Sequence, residues 1–92
     1  MAIPRTTHAD IEQKLLALLA ARAPASLCPS DVARAFVEHE AGWRALMPAV
    51  REVAVRLAHH GAVSITRSGR TLAPDSIEGG PIRIIPRGPA CN

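Results

Sequence analysis

The hydrophobic period of this sequence changes once, at Gly61, and that change constrains the fold more than any motif does. Before it, apolar residues recur every three or four positions; after it, Val63 and Ile65 alternate with Ser64 and Thr66. A helix buries a stripe of its surface and a strand buries every second residue. The chain must therefore place helices first and a small sheet after them, an α+β order. Its 92 residues, 48% of them hydrophobic, suffice for one core.

Within the helical part, Thr7-His8-Ala9-Asp10 has the spacing of a capping box, so a first helix is predicted over residues 8–22. Ile11, Leu15, Leu18 and Leu19 form its apolar stripe, and Pro24 stops it. Cys28-Pro29-Ser30-Asp31 reads as a second start, with proline where a backbone N–H is not needed and an acid near the positive end of the helix. That helix is predicted over 29–39, with Val32, Phe36 and Val37 inward and Arg34 and Glu38 paired outside. Proline is comfortable only in a helix's first turn, so Pro48 sets the third helix to begin between Arg44 and Met47 and run to His60. Leu46, Val50, Val53, Ala54 and Leu57 then share its inner side. Arg44, Arg51 and Val55 fall on the opposite side, flanked by Glu52 and Arg56 as an ion pair. Trp43 is expected to pack across the junction of the second and third helices.

Beyond Gly61, Ser68-Gly69 fits a two-residue hairpin loop, which sets Ile65 against Leu72, Thr66 against Thr71 and Arg67 against Arg70. Facing like charges are unfavourable unless solvent or an anion relieves them. Residues 73–80 read as a loop, and Ile82-Arg83-Ile84-Ile85 as a further strand that covers a hairpin edge. The expected organisation is an arm over 1–7, a domain over 8–85 and a tail over 86–92.

Charge is distributed unevenly. Residues 1–42 carry a net −1, whereas 43–92 carry +4, with Glu52, Asp75 and Glu78 as the acids of that half. An excess of arginine in one half fits an anionic partner, and duplex DNA is the one expected. Arg44 and Arg51 on the third helix, Arg67 and Arg70 at the hairpin tip and Arg83 on the last strand are the candidate DNA-binding residues, because a guanidinium grips phosphate or a guanine edge through two parallel N–H donors. Trp43 and Phe36 are the only aromatic residues, which leaves no stacking platform for single strands.

Other chemistry finds little footing. Cys28 and Cys91 are not spaced as a zinc or redox pair, although Cys28 at a helix start is a candidate redox-sensing thiol. His59 and His60 are adjacent, so their side chains diverge on a helix, and His39 between two glutamates is expected at the surface. No catalytic constellation, cofactor motif or metal set is expected, and the chain reads as a non-enzyme. No apolar run approaches the roughly 20 residues of a membrane span, and the first ten residues do not read as a signal peptide, so a cytoplasmic protein is expected.

Helix, helix, longer helix and arginine-tipped hairpin is the order of a winged helix-turn-helix. The strings Ala17-Leu18-Leu19-Ala20-Ala21-Arg22, Cys28-Pro29-Ser30-Asp31-Val32-Ala33-Arg34, Trp43-Arg44-Ala45-Leu46-Met47-Pro48-Ala49-Val50-Arg51 and Gly80-Pro81-Ile82-Arg83 also resemble a little-characterised bacterial family of small winged-helix domains. That resemblance implies the fold and a nucleic-acid role, as a transcription-related DNA-binding module. The alternative expectation is a winged helix that binds a protein partner through the face around Val55.

Overall fold

The computed structural model describes residues 7–23, 25–77 and 80–86. Residues 1–6 of the expected arm, Pro24, and residues 87–92 of the expected tail with Cys91 lie outside them. Three helices, α1 (His8–Arg22), α2 (Pro29–Phe36) and α3 (Glu40–His59), precede three strands, β1 (Val63–Arg67), β2 (Arg70–Leu72) and β3 (Arg83–Pro86). A 3₁₀ turn at Pro74–Ser76 lies between β2 and β3.

The start of α1 is a reciprocal capping box: the Asp10 N–H donates to Thr7 Oγ1, and the Thr7 N–H donates to the Asp10 carboxylate, both at 3.1 Å. At α2 the Asp31 carboxylate accepts from the Cys28 N–H at 3.0 Å and from Arg22 at 2.8 Å, which ties the end of α1 to the start of α2. This helix stops at Phe36, three residues short of expectation, because Val37 turns into extended backbone. Arg34 and Glu38 consequently do not share a helix face, and no ion pair joins them.

The third helix begins earlier than expected, at Glu40, and carries Pro48 in its interior. An interior proline costs a helix about 3 kcal/mol through its missing N–H and its ring. Here Pro48 is exposed, and so is Arg44, whose carbonyl loses its helical donor to the proline, so water can supply that hydrogen bond. The helix gains a cap that sequence reasoning did not find: His39 Nδ1 accepts from the Gly42 N–H at 3.2 Å.

The strands form one antiparallel sheet in the order β2-β1-β3. The hairpin register is the expected one, Ile65 with Leu72, Thr66 with Thr71 and Arg67 with Arg70. Ser68 and Gly69 both have positive φ, 52° and 82°, which gives the loop the twist that matches the strands it joins. On the other edge of β1, β3 pairs Ile84 with Ile65 and Arg83 with Thr66. Leu27, between α1 and α2, adds one further rung beyond β3 through two bonds with Ile84, at 2.7 and 2.8 Å. Ile11, Leu15, Val32, Val50, Val53, Leu57, Ile65 and Ile84 meet in the core between the helices and the sheet. Three helices followed by a three-stranded antiparallel sheet are an α+β layout consistent with a winged helix.

Gly42, in the first turn of α3, has no room for a side chain. A Cβ there would collide with Val37 Cγ1 and lie 2.7 Å from His39 Cε1. In an open helix, Gly→Ala stabilises by up to about 1 kcal/mol. At this site the collision wins, and Gly42→Ala should destabilise the domain by about 1–3 kcal/mol in urea unfolding. A variant as stable as wild type would show that the turn has slack.

Candidate functional site

The five arginines expected at the site have different surroundings. Arg44 stands in the first half of α3, with its Nε 2.6 Å from Glu40 Oε2, an exposed helical ion pair. Arg51, two turns on, does not project into open solvent as expected; it is partly buried and its Nη2 donates to the Gly80 carbonyl at 2.7 Å. Arg67, at the end of β1, bends back over the loop. Its Nη2 donates to the carbonyls of Ile77 at 2.7 Å and Gly80 at 3.1 Å, and its Nε to that of Pro81 at 3.0 Å. Backbone carbonyls, and not solvent or an anion alone, thus relieve the expected repulsion of Arg67 from Arg70. Arg70 is exposed and has no ion-pair or hydrogen-bond partner among the described residues. Arg83 belongs to another neighbourhood, where it donates to Ser26 Oγ at 2.7 Å and to Cys28 Sγ at 2.6 Å.

Arg51 and Arg67 thus converge on one oxygen, that of Gly80, and Arg70 faces Arg67 across the hairpin. This brings the Arg51 and Arg67 guanidinium groups together where α3 meets the chain before β3, with Arg70 on the strand paired to that of Arg67. Beside them runs a shallow groove lined by Pro48, Arg51, Glu52, Val55, Pro74, Asp75 and Ile77, about 340 Å³ in volume. Val55 is partly buried against the core there, so it is not the exposed apolar centre expected for a protein interface.

Among the described residues, the acids beside this site, Glu52 and Asp75, are engaged with histidines. Glu52 does not pair with Arg56: its Oε1 lies 3.1 Å from His8 Nε2, and Arg56 Nη2 lies 3.3 Å from the other nitrogen of the same ring. Asp75 lies 3.0 Å from His59 Nε2, which fastens the 3₁₀ turn to the end of α3. Among the described residues no three His, Cys, Asp or Glu side chains are gathered to hold a metal ion.

Two arginine roles were hidden from sequence reasoning. Arg34 leaves Glu38 and lies over the Trp43 ring, its Cζ 4.5 Å from the ring centre, while Arg44 Cζ lies 5.1 Å from the same centre. Cations are attracted to the face of an indole at such distances. The spacing of Arg34 and Glu38 gave no sign of this; the only available signal was an aromatic residue early in the following helix.

Arg67 closes the wing, and its loss should be felt there first. Hydrogen bonds to charged groups contribute about 1.5–3 kcal/mol, and a buried carbonyl left without a donor costs about 1–3 kcal/mol. Arg67→Ala should lower stability by roughly 1–3 kcal/mol and accelerate amide exchange over residues 72–84. Arg67→Lys should restore only part of both, because one ammonium does not reproduce the planar fork. Unchanged exchange in Arg67→Ala would mean that the loop holds itself.

The comparison with curated proteins gives no match. A family model described as "Protein of unknown function (DUF3253)" matches residues 8–86, from the first residue of α1 to the last of β3. No described helix is long and apolar enough to cross a membrane. With most of its length and all of its described elements inside that match, the chain belongs to the DUF3253 family.

Proposed function

We propose that this domain binds duplex DNA, laying the exposed stripe of α3 along a groove and the wing against the flanking backbone, as a transcription-related module. The observation that carries this is the convergence of Arg51 and Arg67 on the Gly80 carbonyl with Arg70 opposite. Among the described residues, no carboxylate pairs with any of the three. A carbonyl orients a guanidinium without cancelling its charge. Arg67 keeps its Nη1 donors unengaged among the described residues, and Arg51 its Nε and Nη1. Cations fixed in place but not neutralised are suited to phosphate, which rewards bidentate donors and releases counterions on contact. Arg44 and the neighbouring exposed residues Ala41, Ala45 and Pro48 supply the small, open surface of α3 that a groove can accommodate. Arg83, turned toward Ser26 and Cys28, would support the frame more than the contact.

Arg70 tests this without disturbing the architecture, since Arg67 also holds the loop. In fluorescence anisotropy with mixed-sequence duplex DNA over a salt series, wild type should show a slope equivalent to several phosphate contacts, at about −0.9 each. Arg70→Ala should lose roughly one such contact and weaken binding to all sequences alike. Absence of binding at low salt would overturn DNA recognition and turn attention to a protein partner at the groove between α3 and the 3₁₀ turn.

A further inference from the structure

We infer that Arg34 is a phosphate-binding residue, held ready by Trp43, and that the DNA-contacting surface therefore extends from α3 and the wing onto α2; this rests on the DNA-binding function proposed above. Arg34 is exposed, in the last turn of α2, and no ion pair among the described residues includes it. Glu38, the acid four positions on, lies beyond the end of the helix and does not reach it. The guanidinium instead lies over the half-buried Trp43 ring at 4.5 Å.

A cation held over an indole face has a specific chemical consequence. The face attracts the guanidinium without neutralising it, so its charge and donors remain available to a bidentate acceptor. A carboxylate partner would occupy those donors and cancel the charge; the indole does neither. The ring also limits the rotamers of an otherwise floppy side chain, which lowers the entropy lost when an anion is bound. Arg44 lies over the same ring at 5.1 Å and stands on the exposed stripe of α3. Trp43 thus brings a cation of α2 beside the N-terminal half of the helix proposed to enter the groove. The two cations differ, because Arg44 has Glu40 as a partner and Arg34 has none among the described residues. A phosphodiester oxygen pair is the acceptor that this arrangement fits, at the backbone flanking the groove.

The experiment is the anisotropy salt series on the full chain with wild type, Arg34→Ala and Arg34→Lys, each checked for cooperative thermal unfolding. Arg34→Ala should bind on the order of tenfold more weakly at moderate salt and lose about 0.9 from the slope. Arg34→Lys should recover the slope but not the full affinity, since it keeps the charge and gives up the planar fork. Trp43, the only tryptophan, reports independently: its emission should change on DNA addition in wild type and change less in Arg34→Ala. Wild type and Arg34→Ala with equal slope and affinity would overturn the assignment of Arg34 while leaving DNA binding in place. No binding by wild type at low salt would overturn both.

Discussion

Everything after α3 depends on β1, the one described strand with a partner strand on each edge. It pairs with β2 on one side and β3 on the other, and its Val63 and Ile65 side chains enter the core. Full burial of an aliphatic side chain contributes about 1.5–3 kcal/mol, and a shift of one residue in register would exchange these side chains for Ser64 and Thr66. The pairing of Ile65 with both Leu72 and Ile84 is therefore fixed by the core, and the position of every wing residue follows from it.

Arginine serves this domain in two capacities at once. Arg67 holds a loop by donating to three of its carbonyls, Arg51 shares one of those acceptors, and Arg83 clasps the segment between α1 and α2. None of these contacts is with an acid. The fold consequently spends few of its positive charges on internal neutralisation; Arg22 and Arg44 are those that sit on carboxylates among the described residues. A protein that needed only rigidity could have used ion pairs. Using backbone carbonyls and an indole as partners gives rigidity and leaves a positive surface behind.

Much of the fold was legible from local chemistry. The capping box at Thr7 and Asp10, the limits of α1 and the hairpin register all follow from residues within a few positions of one another, and all are present. The last strand is displaced by one residue, running Arg83–Pro86 where residues 82–85 were expected. What sequence reasoning missed depends on distant partners or unusual ones. Arg51 finds its acceptor 29 residues away and Arg67 finds its own 10 to 14 away, and charge patterning is blind to carbonyls. His39 caps α3 with a ring nitrogen, outside the usual set of serine, threonine, aspartate and asparagine, and so α3 starts before the position that Pro48 implied. The ion pairs expected at Arg34–Glu38 and Glu52–Arg56 gave way because α2 ends early and because His8 attracts both Glu52 and Arg56.

The rung between Leu27 and Ile84 bears on how the chain reaches this structure. It joins the loop after the first helix to the last strand, and the neighbouring contact between Ser26 and Arg83 spans 57 residues. Closing so long a loop costs entropy that the bond itself repays only once the intervening elements have already shortened the path. The contact of α1 with α2 and the Ser68-Gly69 hairpin are more local and need far less closure. Loop-closure entropy therefore favours forming the helices and the hairpin before β3 docks, with the clasp of Arg83 on Ser26 and Cys28 as a latch that engages late. Stabilising that latch would slow unfolding more than it would speed folding, since contacts absent from the transition state act on the exit rate.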